Sequence, residues 1–312
     1  MILGCLAPDA NDLPLHALVN VCTPQLFVNE YPLRLCEIVC TPSYENHEDS
    51  TYKDIVYSMS DDRIFGFVKL AERPGITLEA NAFKAYTQIF ELVALKKFEH
   101  IWRLWNYIPE INKIENGEER YRSFNAGRHK AFAATVFCAE QAPTACGVGT
   151  DSNELIICFM AGKTMPRTIE NPKQTSAYSY PKTYGAVAPI FSRAAIIPLE
   201  NGHEALFISG TASIVGNQSV HIDDWCKQLY ETVDNIQVLI DEANKIAKRK
   251  FSHTDMTFKV YIRDAEYAMP IKLELERCLS GASFIFVRSD ICRADLLLEI
   301  EGTTASVIKL IC

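Results

Sequence analysis

Apolar and polar positions are patterned most clearly in the second half of the chain. Phe191 to Pro198 and Ala205 to Ile214 are apolar, β-branched runs separated by Glu200-Asn201-Gly202-His203, which predicts a β-hairpin. From Asp223 to about Lys248, Trp225, Leu229, Val233, Ile236, Ile240 and Ala243 recur at three- and four-residue steps, the period of an amphipathic helix with Asp223 at its N-cap. Phe258, Val260 and Ile262 alternate as in a strand, and Pro270 suits the first turn of a second helix carrying Ile271, Leu275 and Cys278. Strands at Ser283 to Val287 and Asp295 to Ile300 complete a sheet with two helices packed on one face.

The first half repeats this order loosely. Strands at Arg34 to Cys40, Asp54 to Ser58 and Arg63 to Lys69 precede a helix from about Asn81 to Lys97. A strand at Ile101 to Tyr107, a helix from about Glu118 to Phe137 and a strand at Glu154 to Met160 follow. Glu154-Leu-Ile-Ile-Cys-Phe-Met-Ala-Gly162 also mirrors Asp295-Leu-Leu-Leu-Glu-Ile-Glu-Gly302, so the chain reads as two copies of one α+β unit, 1–162 and 191–312. Between them, 163–190 contains Met165 to Tyr184, rich in Pro, Thr, Ser, Tyr and Lys and without periodicity; a loop of this length in a compact domain is usually functional.

Composition narrows the function. With 312 residues and 48% hydrophobic content the chain builds a sizeable core, and no stretch has the roughly 18 consecutive apolar residues of a membrane helix. Met1 to Asn20 lacks the order of a secretory signal, so a cytoplasmic protein is expected. The 11 cysteines include no C-x-x-C pair and read as reduced core residues; the 7 histidines are isolated, so no metal site is expected. A net charge of −8 with dispersed Lys and Arg disfavours nucleic acid as a partner, and the run Lys245, Lys248, Arg249, Lys250 suits the negative end of a helix dipole. An anionic small molecule would need a local arginine pocket.

No P-loop, G-x-G-x-x-G after a strand, H-E-x-x-H or G-x-S-x-G occurs, and Gly147-Val148-Gly149-Thr150 reads as a turn. Three polar clusters remain. Arg120 to Arg128, with Tyr121 and Arg128, enters a helix and reads as a solvated face or a ligand-facing one. The second joins Asn171 to Pro181 with Tyr184 and Phe191-Ser-Arg193-Ala; its tyrosines, including Tyr178, and its arginine suit a carboxylate-bearing ring or simple packing. In the third, Asp290 to Glu301, alternation puts Leu296, Leu298 and Ile300 on one face and Glu299 and Glu301 on the other. A carboxylate between leucine and isoleucine is a candidate for a raised pKa and general acid work; the plain alternative is an edge strand with a wet face.

Arg122-Ser-Phe-Asn-Ala-Gly-Arg128, Asn171-Pro-Lys-Gln-Thr-Ser-Ala-Tyr178, Phe207-Ile-Ser-Gly-Thr-Ala-Ser-Ile-Val-Gly216 and Cys292-Arg-Ala-Asp-Leu-Leu-Leu-Glu-Ile-Glu301 together resemble the chorismatase family over roughly Trp102 to Gly302. The carboxyl-terminal half also resembles the YjgF-like imine deaminases, but the arginine those proteins use is replaced by Gly281-Ala282-Ser283-Phe284. The resemblance implies two fused YjgF-like, chorismate-mutase-like units, each a mixed β-sheet with two helices on one face, acting as a monomer on chorismate without a cofactor. It assigns proton transfer to Glu299, carboxylate clamping to Arg128 and Arg193, and ring contacts to Tyr121, Tyr178 and Tyr184. Cys292 and Gly210 match members of the 3-hydroxybenzoate synthase type. The expected activity is cleavage of chorismate to pyruvate and 3-hydroxybenzoate, with 4-hydroxybenzoate as a possible companion. A chorismate hydrolase and a non-catalytic YjgF-like metabolite-binding protein are the alternatives.

Overall fold

The computed structural model describes residues 50–135, 138–199 and 202–304 in full, and outside them the backbone of Ile2–Ala7, Leu18–Asn20, Gln25–Phe27, Cys36–Cys40, Ile308–Ile311 and the start of Glu48–Tyr52. The first large sheet is built from β1 (Glu48–Tyr52), β2 (Ile55–Met59), β3 (Arg63–Ala71), β4 (His100–Pro109), β5 (Thr144–Thr150) and β6 (Glu154–Gly162), with helices α1 (Leu78–Leu95) and α2 (Arg120–Ala133). The second has β7 (Arg167–Ile169), β8 (Ala194–Pro198), β9 (Glu204–Thr211), β10 (Met256–Ile262), β11 (Ser283–Arg288) and β12 (Leu298–Thr304), with α3 (Trp225–Ile246) and α4 (Ala268–Cys278). Strand order is β5-β4-β6-β3-β2-β1 in one and β7-β8-β9-β12-β10-β11 in the other, with Gln25–Phe27 beyond β11. From β2 and from β8 the chain runs ββαβαββ in both, and each sheet holds one parallel pair, β4 with β5 and β10 with β11. The duplicated α+β architecture is therefore present.

Helices cover only the outer face of each sheet. Ile64, Val68, Ile89, Leu104 and Phe159 form part of the core beneath α1 and α2, and Ile208, Leu239, Phe258, Ile271 and Ile300 part of that beneath α3 and α4. The inner faces meet in a third core that brings Phe65, Trp102 and Trp105 against Phe207, Tyr261 and Ile285. Each large side chain removed from water there contributes on the order of 1.5–3 kcal/mol. The indole nitrogens are also satisfied: Trp102 Nε1 donates to the Thr164 carbonyl at 2.9 Å and Trp105 Nε1 to Glu301 Oε1 at 3.1 Å.

Several local expectations change. Gly147 to Thr150 is strand, not turn: β5 pairs in parallel with β4. Its glycines fit close neighbours, since a Cβ at Gly147 would meet the Tyr121 ring at 3.2 Å and one at Gly149 the Asp290 Cβ at 2.9 Å. A parallel strand with glycine at its contact points carries little hydrophobic alternation of its own. The α3 N-cap is Asp224, which accepts from the Lys227 amide at 3.0 Å, while Asp223 adopts φ +60°. Leu296 precedes β12 and packs in the inter-sheet core, apart from Leu298 and Ile300. Cys36–Cys40 joins a small sheet with Ile2–Ala7 and Ile308–Ile311 instead of the first large sheet. The Met165 to Tyr184 stretch holds β7 and two 3₁₀ turns, Ala177–Ser179 and Lys182–Tyr184. Glu200, Asn201, Val136 and Phe137 lie outside the described residues. Among the described cysteines, Cys146 and Cys158 are buried, but Cys138 is exposed.

Candidate active site

β12 lies between β9 and β10, so both its edges are paired, and the wet-edge alternative does not apply. Leu298 and Ile300 face the helices; Glu299 and Glu301 face the other sheet, each only 3% exposed. Their surroundings differ sharply. Glu301 Oε2 receives Arg103 Nη2 at 2.5 Å, and Oε1 receives Trp105 Nε1 at 3.1 Å and Tyr261 OH at 3.3 Å, with Lys259 Nζ also at 3.3 Å. Glu299 Oε1 has no hydrogen-bond partner among the described residues, and Oε2 accepts the Cys292 thiol at 3.9 Å. Burial, then the negative charge of Glu301, pushes the Glu299 carboxyl up to about 8, with Arg103 opposing. Burial also works against ionised Glu301, but Arg103 and Lys259 hold its carboxyl below the ordinary range.

Glu299 opens on a cavity of about 380 Å³. Gly210 on β9 makes room for the carboxyl: a Cβ there would overlap the Glu299 oxygen, lie 2.6 Å from its Cδ and 3.3 Å from the Cys146 Cβ. Cys292 lines the same cavity, its thiol pushed upward by burial and then by Glu299. Tyr121 enters from the first turn of α2, stacked on Phe124 with ring centroids 6.4 Å apart. Burial, followed by Cys292, raises its phenol.

The polar wall comes from the segment before β8 and the loop before β12. Arg193 is 4% exposed and lies over the Phe191 and Tyr180 rings at 5.1 and 5.6 Å; its Nη2 donates to the Thr175 carbonyl and Tyr180 OH, both at 2.8 Å. Its Nε has no hydrogen-bond partner among the described residues, and the nearby Glu170 carboxyl, which accepts the Arg193 amide at 3.3 Å, is raised by burial with the Arg193 charge opposing. Arg293 stacks on Tyr184 at 4.3 Å and donates to the Asn217 carbonyl at 2.9 Å. Aromatic flanks and these hydrogen bonds fix both planar cations, so a carboxylate arriving in the cavity meets oriented donors. Among the described residues no group of three or more His, Cys, Asp or Glu could hold a metal ion.

Residues 40–161 match the family model described as Chorismatase FkbO/Hyg5-like, N-terminal. A 3-hydroxybenzoate synthase from Streptomyces hygroscopicus is 34% identical over 228 residues, covering 70% of this chain and 67% of that protein. A chorismatase from Streptomyces rapamycinicus is 32% identical over 266 residues, 83% of this chain and 79% of the relative. The chain belongs to the chorismatase family. A crystal structure of a chorismatase superposes with a TM-score of 0.85 and 28% identity, covering 97% of this chain and 93% of the other.

In this chorismatase-family chain, six of the residues singled out from sequence line the one cavity: Tyr121, Tyr184, Arg193, Gly210, Cys292 and Glu299. Arg128 and Tyr178 are not among its lining residues. Arg128 lies seven positions beyond Tyr121, about 10 Å farther along the helix axis. There it is buried over Phe124 at 5.4 Å, and its Nη2 donates to Asn125 Oδ1 at 2.7 Å. Sequence reasoning did not select Tyr180, Phe191 or Arg293, although the first two stand in the tyrosine-rich cluster and Arg293 follows Cys292. Their recurrence in the same short segments was the available signal.

Proposed function

We propose that the protein cleaves chorismate to pyruvate and 3-hydroxybenzoate, with Glu299 as the proton donor. The observation that carries this reading is the pairing of a buried, uncompensated carboxyl with two oriented guanidinium groups around one cavity. Chorismate bears two carboxylates and an enolpyruvyl ether. Arg193 would hold one carboxylate and Arg293 the other, with Tyr180 and Tyr184 between them. Glu299, neutral at working pH, would protonate the methylene carbon of the enolpyruvyl group. The resulting oxocarbenium ion draws the ring C3–O electron pair onto the ether oxygen, which leaves as the pyruvate carbonyl, while the neighbouring C4 hydroxyl oxygen bridges to C3; its C4–O bond then opens and the C3 hydrogen leaves as a proton, so the hydroxyl ends on C3. The Glu299 carboxylate left behind stabilises the adjacent cation and takes back a proton when the ring aromatises. No net water is consumed, so excluding solvent favours the aromatic product over a dihydrodiol.

Gly210 supports the same reading because it admits the carboxyl to the cavity floor, and Cys292 because it occupies space beside Glu299 without bringing a strongly hydrated group. The same proposal divides the chain into units 1–162 and 191–312 joined by the segment 163–190. It takes the protein as a cytoplasmic monomer, consistent with free thiols at Cys146 and Cys292. Incubating purified protein with chorismate, following pyruvate and separating ring products by chromatography tests the function. Glu299→Gln should lower turnover by at least ~100-fold, the scale of a lost general acid, while leaving chorismate binding largely intact. Release of dihydrodiol alone would favour the hydrolase, and chorismate binding without pyruvate a non-catalytic binder.

A further inference from the structure

Glu301 shares the Glu299 face of β12, but it does not line the cavity. Donors reach it from both sheets: Arg103 and Trp105 from β4, Lys259 and Tyr261 from β10. Antiparallel register sets Lys259 directly opposite Glu301 and Tyr261 directly opposite Glu299. Arg103 Nη1 also donates to the Ile208 carbonyl of β9 at 3.0 Å, which ties this cluster to the strand that carries Gly210. All five side chains are buried. A buried ionic cluster is no better for stability than a well-packed apolar one of the same volume, so its presence beside the acid calls for another role.

The charged and titratable groups facing Glu299 come from every surrounding element. Glu301 is on its own strand, Tyr261 and Lys259 are on β10, and Arg103 and Cys146 lie across the sheet interface. On the cavity side stand Cys292, Tyr121 and Arg193, and Tyr180, Tyr184, Arg293, Asp295, Glu119 and Arg122 line the same cavity. Arg103 and Lys259 are engaged with Glu301, whereas Glu299 Oε1 receives no hydrogen bond. Two residues along a strand separate the carboxyls by about 7 Å, near enough for a buried charge on one to govern the other.

We propose that Glu301, together with Arg103, Lys259, Trp105 and Tyr261, positions the proton of the reaction: the cluster keeps Glu301 ionised and thereby keeps Glu299 in its protonated, donating form. This rests on Glu299 being the acid. The test is the pH dependence of kcat/KM for pyruvate release from chorismate between pH 5 and 10. Wild type should be active at low pH and lose activity as Glu299 ionises. Glu301→Gln removes the repelling charge and should move that descending limb down by at least about one pH unit, while Lys259→Met removes an attracting charge and should move it up. A merely structural cluster would lower the plateau in both variants and leave the limb in place. A limb unmoved in both, or moved in the same direction, overturns the proposal. Should Glu301→Gln fail to fold, the direction of the Lys259→Met shift decides. Full turnover by Glu299→Gln would instead sink the reading of Glu299, an outcome separate from either limb result.

Discussion

Gly210→Ala isolates the relation between β9 and the acid. The added methyl would lie 2.6 Å from Glu299 Cδ, whereas ordinary contact begins at 3.4 Å, so the carboxyl must move by at least about 0.8 Å. The Cys146 Cβ at 3.3 Å crowds the methyl as well. Because Glu299 is a flexible side chain and the cavity lies open in front of it, refolding around the methyl should cost no more than about 1–3 kcal/mol. Catalysis is less forgiving: displacing a reacting group by about 1 Å costs on the order of 100-fold. The expected result is a folded protein with kcat for pyruvate release down roughly 100-fold and a much smaller change in KM. Stopped assays with product chromatography measure the rate, and thermal unfolding measures the stability. Wild-type kcat in a folded Gly210→Ala protein would refute the placement of the Glu299 carboxyl against this glycine.

Other outcomes follow from the same geometry. Glu299 has a folded pKa of about 8 against an ordinary 4.5, so the folded state retains a proton that the unfolded chain loses first. Its contribution to stability is complete below pH 4.5 and disappears as pH rises to about 8; chemical denaturation should show Glu299→Gln gaining on wild type over that window by on the order of 3–5 kcal/mol. Equal pH slopes for the two proteins would contradict a neutral Glu299. Arg193→Lys should raise KM by about 10-fold or more, since a point charge replaces an oriented planar fork; steady-state kinetics with an unchanged KM would remove Arg193 from the substrate site. Cys292→Ala should keep part of the chorismate consumption but shift products toward dihydrodiol or 4-hydroxybenzoate. An unchanged product ratio by chromatography would confine Cys292 to a packing role.

Sequence alone determined the repeated order of helices and strands, because each amphipathic element needs one apolar face and writes that need at its own period: two residues in β10, three to four in α3. It also brought Glu299, Cys292, Gly210, Arg193, Tyr121 and Tyr184 together as candidates through short motifs. Tertiary structure decided what local pattern does not encode. β5 was hidden because its partner β4 is 41 residues away at the Thr144 and Arg103 pairing and its glycines report the neighbours' bulk, not their own burial. Glu299 and Glu301 are equivalent by alternation; only the facing sheet, which delivers Arg103 and Trp105 to one carboxylate and leaves the other beside a cavity, distinguishes the ion-paired carboxylate from the proposed acid. Arg128 and Arg193 are likewise indistinguishable by residue type. The axial rise of α2 carries Arg128 into the helix core, while the turn before β8 aims Arg193 at the cavity, and neither direction exists until the two sheets pack.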